Sequence, residues 1–344
     1  MTTVAGPSFA RRWECTIGGG IARIAASPDS RRVAAALAEG PVVILDALSG
    51  EVLRIVSGHA LATTDVAWTL DGTRLITCGQ DGLARVWDVA SGAEIVCVAA
   101  GAAWAERVAI CPDGTRFASA AGRRVRLWSL DGRLQCDWPE RASTILDLAW
   151  RPGPGRPRLA AVSYGAVGLY DPSKRARAAR ELKWQGSSLV IAWNPNGEVL
   201  ATGDQDASVH YWVLKTGRDL MMAGYPRKVR ELAWDRTGRW LATGGGFQII
   251  VWDCAGSPAG TEPIVLEHHN VPLCALAYQH HGDFLASASL DGSVAIWNAA
   301  RSAVPLATLD GEGDEIGALA WAPDDSALFL GYQRGTVVSW NPAN

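Results

Sequence analysis

The chain has 344 residues, of which 48% are hydrophobic, 19% are charged and 16 are tryptophan, and its formal net charge is -3. This composition excludes an intrinsically disordered chain and disfavours a globally basic nucleic-acid-binding protein. No apolar run reaches the roughly 18 residues that span a bilayer, and the N-terminus lacks a signal-like apolar segment, so we expect a cytoplasmic protein. The seven cysteines include no CxxC pair, which argues against a disulfide framework or a zinc site.

In chain order, a first strand is predicted at 11–17 (RRWECTI), and eight similar units follow it. Each unit contains an apolar strand, a turn such as CPDGTR (111–116), a second strand, a tight turn such as QDG (80–82) and a third strand. A loop then leads to a fourth strand, except in the last unit, where the chain stops. Such turns between short alternating runs predict an all-β chain. The approximate bounds of the units are 21–60, 61–102, 103–142, 143–186, 187–227, 228–270, 271–314 and 315–344.

Large side chains recur at two positions of the unit. The first position is the end of the third strand. Its large side chain recurs about every 42 residues, which indicates a repeat architecture. It is occupied by Leu45, Trp87, Trp128, Tyr170, Trp212, Trp252, Trp297 and Trp340. The other position ends the first strand and is occupied by Trp68, Trp150, Trp193, Trp234 and Trp321, with Ala26, Ile110 and Tyr278 in the remaining units. We expect these tryptophans to pack between units rather than to form a binding stripe.

The segments RLITCGQDGLARVWD (74–88) and FLASASLDGSVAIWN (284–298) resemble the WD-repeat family of β-propellers. The resemblance implies a single closed β-propeller over residues 1–344, built from four-stranded antiparallel blades. Eight units predict eight blades, with a seven-bladed ring and one degenerate unit as the alternative. Since closure removes free sheet edges, we expect strand 11–17 to complete the last blade.

The resemblance also implies a buried hydrogen-bond network in two units, with a structural and not a catalytic role. Its predicted members are His59, Thr77, Asp81 and Trp87 in unit 2, and His269, Ser287, Asp291 and Trp297 in unit 7. Unit 5 carries Trp184 in place of the histidine, and unit 6 carries Tyr225 there.

Opposite charges alternate along the first strands of four successive units. Arg23, Asp65, Arg107 and Asp147 occupy the same register, which predicts an arc of ion pairs near the central channel. A polar ligand site in the channel is the functional alternative.

Two histidine pairs, at 268–269 and 280–281, raise the question of a metal site. The strand between them spans roughly 20 Å at ~3.3 Å per residue, which is too far for shared ligation. The chain also lacks a G-x-S-x-G motif, a P-loop, an H-E-x-x-H motif and an EF-hand loop. We therefore predict no metal, no cofactor and no catalytic residue.

Basic residues concentrate in two loops of unit 4 that we expect at the same end of the ring. This unit 4 basic cluster comprises Arg151, Arg156, Arg158, Lys174, Arg175, Arg177 and Arg180. An acidic partner or anionic surface could bind it, although such a charge run is commonly a solvated rim.

The opposite end, here called the loop end, gathers the turns between second and third strands and the loops that enter each first strand. In WD-repeat proteins the corresponding positions often contact partners, and Trp, Tyr and Arg dominate interface energetics. The candidate partner-binding residues are Trp104, Arg124, Tyr164, Gln205, Lys228, Phe247 and Glu315. The alternative for Trp104 and Phe247 is that they pack on neighbouring blades.

These observations favour a non-catalytic scaffold whose loop end binds one or more proteins. Two alternatives stay open. One is an enzyme or small-ligand binder that uses the central channel, and the other is a binder of an acidic partner or anionic surface through the unit 4 basic cluster.

Overall fold

Antiparallel strands form all the regular secondary structure in the described residues. The structure, a computed structural model, describes residues 8–102, 104–174, 180–256, 260–309, 311 and 313–343. Strand β1 (Ser8–Thr16) contains the strand expected at 11–17 up to residue 16. The all-β prediction is therefore confirmed for the described part of the chain.

Units 1 to 3 each form a four-stranded sheet whose strands follow one another in chain order. The strands are β2 (Ile21–Ala26), β3 (Arg32–Leu37), β4 (Val42–Asp46) and β5 (Val52–Val56); β6 (Thr63–Trp68), β7 (Arg74–Gly79), β8 (Leu83–Asp88) and β9 (Glu94–Ala99); β10 (Ala105–Ile110), β11 (Arg116–Ala121), β12 (Arg124–Ser129) and β13 (Leu134–Asp137).

The region of units 4 and 5 contains two long strands and forms one six-stranded sheet. Its strands are β14 (Ile145–Trp150), β15 (Leu159–Tyr170), β16 (Arg180–Trp193), β17 (Val199–Asp204), β18 (Ser208–Val213) and β19 (Arg218–Ala223).

Units 6 to 8 return to four-stranded sheets. The strands are β20 (Leu232–Trp234), β21 (Trp240–Thr243), β22 (Ile249–Asp253) and β23 (Ile264–Leu266); β24 (Leu273–Tyr278), β25 (Leu285–Ser289), β26 (Val294–Trp297) and β27 (Ala307–Leu309); β28 (Ile316–Trp321), β29 (Leu328–Tyr332) and β30 (Thr336–Ala343).

The prediction of eight separate four-stranded blades needs correction, because the described residues form seven continuous sheets, the number given by the alternative. The physical reason lies in β16, which serves two units. Its first part, up to Ser187, pairs with β15, and its second part, from Ser188, pairs with β17. No turn interrupts the strand between them, so the six-stranded sheet holds units 4 and 5 together.

The ring is closed by the N-terminal strand, as expected. β1 pairs antiparallel with β30, which gives the sheet order β1-β30-β29-β28. Trp13 of β1 is buried, donates its indole N–H to the Ala47 carbonyl at 2.9 Å, and lies against Phe329 with ring centroids 6.0 Å apart. One side chain thus connects unit 8 to unit 1.

The tryptophans at the ends of the first strands connect neighbouring units. Each donates its indole N–H to a carbonyl of the preceding inner strand, at 2.9 to 3.4 Å. The donor and acceptor pairs are Trp68 and Ala25, Trp150 and Ala109, Trp193 and Ala149, Trp234 and Ala192, and Trp321 and Ala277. They hold the inner strands in register, which fixes the positions of the loops at the ring's two ends.

Candidate functional site

Backbone hydrogen bonds join the turns and loops of the loop end. Gly122 N donates to the Trp104 carbonyl at 3.3 Å, and Gln205 N donates to the Ser187 carbonyl at 2.9 Å. The same kind of bond runs from Arg227 N to the Gly245 carbonyl at 2.9 Å. In units 3 and 6 these bonds join the turn between the second and third strands to the loop that enters the first strand, and in unit 5 the turn is bonded to β16 itself. The loop end is consequently a connected surface with fixed backbone positions.

Three aromatic side chains at the loop end are exposed. They are Trp104, Tyr164 and Phe247, with 54%, 60% and 49% of their surface accessible. Every other aromatic side chain among the described residues is buried or half-buried. Large aromatic side chains lose apolar surface to a partner at low entropic cost, so their exposure at one end of the ring is informative.

The structure brings six of the seven candidate partner-binding residues into two groups and places Glu315 apart from them. Trp104, Arg124 and Tyr164 lie around units 3 and 4, where Glu140 contacts Arg124 at 3.0 Å and lines a cavity of about 210 Å³ with Tyr164. Gln205 and Lys228 line one groove between units 5 and 7, next to the turn that carries Phe247. Glu315 is exposed, and its carbonyl accepts a hydrogen bond from Gln333 N in unit 8.

Arg124 is half-buried and held by acidic side chains of its own unit. Its guanidinium lies 3.3 Å from Asp137 and 3.0 Å from Glu140. Arg126 and Arg123 contact the same two carboxylates. An incoming partner would have to compete with these ion pairs for Arg124.

The network expected in unit 2 is present in the structure. His59 Nδ1 lies 2.8 Å from Asp81 Oδ1, His59 Nε2 lies 2.9 Å from Thr77 Oγ1, and Trp87 donates to Thr77 Oγ1 at 2.9 Å. Burial would raise the pKa of Asp81, but hydrogen bonds from His59 and Arg85 outweigh it and lower that pKa to about 2. His59, Thr77 and Trp87 are buried and Asp81 is half-buried, and the arrangement of the four side chains acts as a structural tie.

Unit 7 departs from the expected pattern at its aspartate. His269 Nε2 lies 2.8 Å from Ser287 Oγ, and Trp297 donates to the same hydroxyl at 2.9 Å. Nδ1 of His269 contacts Ser289 and Ser293, both at 2.9 Å, and Ser289 in turn donates to Asp291 at 2.7 Å. Asp291 therefore reaches the histidine only through a hydroxyl, because two serines occupy the intervening space.

Unit 5 contains a buried carboxyl, that of Asp204, which no sequence pattern marks. Asp204 is fully buried, and Ser208 donates to it at 3.4 Å while also donating to Asp206 at 2.8 Å. Burial, and secondarily the charge of Asp206, raise the pKa of Asp204 to about 7. Trp184 in the histidine position signals this altered unit, and its ring centroid lies 3.8 Å from that of His210.

Replacing Asp204 with asparagine should stabilise the protein near pH 8 by about 2 kcal/mol. A pKa rise of about three units corresponds to roughly 4 kcal/mol. The expected gain is smaller because the asparagine amide has one hydrogen-bond acceptor fewer than the carboxylate. The folded-state pKa lies above the unfolded value of 3.8, so the stability that this carboxyl contributes is lost as the pH rises through about 7. Urea unfolding at about pH 5 and about pH 8 measures the effect. Asp206→Asn, at an exposed position, is the matched control with a smaller expected change. Identical pH profiles for wild type and Asp204→Asn would contradict the assignment.

The expected ion pairs lie at the central channel. Arg23 Nε is 3.8 Å from Asp65, and Arg107 Nε is 3.0 Å from Asp147. Both carboxylates also accept backbone N–H groups of the next unit, from Val108 and from Ile191, each at 3.1 Å. These side chains line a cavity of about 480 Å³ that also borders Glu231. Because their charges already neutralise one another, the channel wall of units 1 to 4 serves to join inner strands.

The unit 4 basic cluster is smaller in its described part than the sequence implies. Arg175 and Arg177 lie outside the described residues. Arg158 is 4.0 Å from Asp171, which places the two loops at the same end, and Arg151 donates to the Gly197 carbonyl at 2.9 Å. Three members of the cluster are described and exposed: Arg156, Lys174 and Arg180.

The two histidine pairs flank β24 and make separate contacts. His268 and His269 have ring centroids 5.3 Å apart, whereas the backbone N–H groups of His280 and His281 both bind Asp325 at 2.7 Å. Within the ranges that the structure describes, no group of three or more His, Cys, Asp or Glu side chains is arranged to hold a metal. The same ranges contain no helix long and apolar enough to cross a membrane.

An apolar pocket of about 300 Å³ lies in unit 6 and was not anticipated. Tyr225, Pro226, Ile250, Trp252 and Pro263 line it, together with the glycines at 244–246. The sequence signal for it is Ile250, which lies two residues before Trp252. Units 2 and 3 have an arginine two residues before Trp87 and Trp128.

Four segments of the chain, 50–88, 185–213, 221–253 and 260–298, match the family model described as WD domain, G-beta repeat. Curated relatives include Protein transport protein SEC31 of Chaetomium globosum, 28% identical over 58% of this chain and 17% of that protein. Transcriptional corepressor LEUNIG_HOMOLOG of Arabidopsis thaliana is 25% identical over 79% of this chain and 34% of its own length. WD repeat-containing protein 1 of Xenopus tropicalis is 24% identical over 58% of this chain and 27% of its length.

The chain thus spans about a third or less of the length of these relatives. Among solved structures, the computationally designed Ika8 protein superposes with a TM-score of 0.79 at 22% identity, covering 95% of this chain and 97% of Ika8. That likeness concerns the fold alone. The four repeat matches, the WD-repeat relatives and the closed ring of antiparallel sheets together confirm the resemblance of the chain to the WD-repeat β-propeller proteins.

Proposed function

We propose that the protein is a non-catalytic interaction scaffold whose loop end binds a partner protein. The observation that carries this proposal is the exposure of Trp104, Tyr164 and Phe247 at that one end. Large aromatic side chains have few rotatable bonds, so they bind a partner with little loss of conformational freedom. A cytoplasmic location is part of the same proposal, because Cys15, Cys78, Cys97, Cys111, Cys254 and Cys274 form no disulfide among the described residues.

The two alternative functions have less support. In the channel, Arg107 and Asp147 pair with each other at 3.0 Å, so a ligand would have to displace an internal ion pair. At the opposite end, Arg158 and Arg151 of the unit 4 basic cluster are engaged with Asp171 and Gly197. By contrast, no described contact removes the rings of Trp104 and Tyr164 from solvent.

A pull-down from native extract tests the proposal with two sets of substitutions. The double variant Trp104→Ala with Tyr164→Ala removes two exposed rings, and the triple variant Arg156→Ala, Lys174→Ala and Arg180→Ala is the control at the opposite end. We expect the first variant to lose the partner, with an affinity at least about tenfold lower, and the second to retain it. Retention of the partner by the aromatic variant and its loss by the basic variant would overturn the proposal.

A further inference from the structure

The apolar pocket of unit 6 lies at the position where units 2 and 3 each place an arginine. In unit 2, Arg85 extends back to the Gly58 carbonyl at 3.0 Å, and in unit 3, Arg126 extends to the Ala99 carbonyl at 2.8 Å. Both arginines therefore cover the junction between their own third strand and the loop entering their unit. Ile250 is the counterpart in unit 6, and its short side chain carries no donor for the loop at 223–226.

The neighbouring turn keeps this space open. The glycines at 244–246 carry no side chains, and a Cβ atom at Gly246 would lie 2.7 Å from Pro226 Cγ. Tyr225 is held in place because its hydroxyl lies 2.8 Å from Thr243 Oγ1 and accepts the Trp252 indole N–H at 2.9 Å. The polar atoms of the two rings thus satisfy each other, and the pocket presents mainly apolar surface to an incoming group.

A basic groove begins where the pocket ends. Gly245 and Gly246 line both spaces, and the groove continues past Arg227, Lys228 and Arg230 toward Glu231 and the channel. All three basic side chains are exposed, and none forms an ion pair with a described residue. The outer side of the pocket has the opposite character, since Glu262 and Glu267 are exposed there. The surface is therefore acidic on the outer side of the pocket and basic on the side that faces the channel.

We propose that this surface binds a short acidic segment of a partner protein, with one aliphatic or proline side chain in the unit 6 pocket and carboxylates over Arg227, Lys228 and Arg230. The apolar lining of Ile250, Trp252 and Pro226 suits the anchor side chain, while the unpaired basic groups complement the carboxylates. This inference rests on the proposed scaffold function and specifies the chemistry of its partner.

Selection from a random peptide library displayed on phage tests this inference with the full chain as bait. Wild-type protein should enrich peptides that contain a Pro, Val, Leu or Ile residue with Asp and Glu residues clustered on one side of it in the sequence. The variant Ile250→Arg should lose them, because it recreates the arginine of units 2 and 3 and fills the pocket. The variant Ile55→Arg adds the same charge on the exposed outer strand of unit 1 and is the matched control. Melting temperatures verify that both variants fold.

The best peptide, labelled with fluorescein, then gives affinities by anisotropy. We expect Ile250→Arg and the double variant Arg227→Glu with Lys228→Glu each to weaken binding by about tenfold or more, and Ile55→Arg to leave it unchanged. No acidic enrichment, or equal binding by Ile250→Arg, would overturn the inference. The substitutions at Trp104 and Tyr164 do not alter the pocket. A failed pull-down therefore counts against the proposed scaffold function, whereas a failed peptide selection counts against the acidic-segment inference.

Discussion

Replacing Arg107 with methionine should lower the free energy of unfolding by about 3–5 kcal/mol, the usual cost of leaving one member of a buried ion pair without its partner. The Arg107 and Asp147 side chains are only 23% and 15% exposed, and they are 3.0 Å apart. Burial already raises the pKa of Asp147, and the nearby positive charge opposes that effect. Methionine removes the charge while it keeps most of the apolar volume.

The double variant Arg107→Met with Asp147→Asn separates the ion pair from packing. Because asparagine carries no charge, the second change should recover most of the lost stability. The single variant should also lose less stability near pH 5 than near pH 8, since protonation neutralises the unpaired carboxyl. Urea unfolding measures all three proteins. An unchanged stability of Arg107→Met, or an equal loss in the double variant, would show that the arc does not join the inner strands.

Replacing Trp13 with alanine should cost about 3–5 kcal/mol, the range found for large aromatic side chains in protein cores. Trp13 is 9% exposed, donates to the Ala47 carbonyl at 2.9 Å, and packs on Phe329. It is the contact by which the closing strand holds units 8 and 1 together, so its loss leaves both a cavity and an unpaired carbonyl.

Trp104→Ala provides the matched control for Trp13→Ala, because the same side chain is truncated where it is 54% exposed. That control should change stability by no more than about 0.5 kcal/mol. Chemical unfolding of both variants decides the matter. Equal stabilities for Trp13→Ala and Trp104→Ala would mean that the ring does not depend on its N-terminal strand.

Much of the fold could be predicted because large side chains recur in the sequence at a regular spacing. The recurrence of Trp87, Trp128, Trp212 and Trp297 located the third strands, and the missing fourth strand of the last unit pointed to β1. The joined sheet of units 4 and 5 could not be foreseen. Periodicity counts units, whereas the continuity of β16 depends on whether a turn forms at 184–188.

The surface was harder to predict than the fold. Trp104, Tyr164 and Phe247 could be singled out from their positions in the repeat, but their exposure and the partners of Arg124 depend on side-chain conformations that no spacing encodes. The unit 6 pocket is lined by Ile250, where units 2 and 3 carry an arginine, and this difference is visible only when units are compared position by position. Asp204 was overlooked because its neighbours Ser208 and Asp206 belong to an ordinary turn pattern.

Hydrogen–deuterium exchange on the protein with its captured partner bound tests the central claim, that the loop end is the binding surface. We expect slower exchange in the segments around Trp104, Tyr164 and Phe247, where the aromatic rings are exposed. Exchange in the loop at 151–158 at the opposite end should be unchanged. Protection confined to that opposite loop or to the channel strands, with no change around the three aromatic residues, would contradict the account.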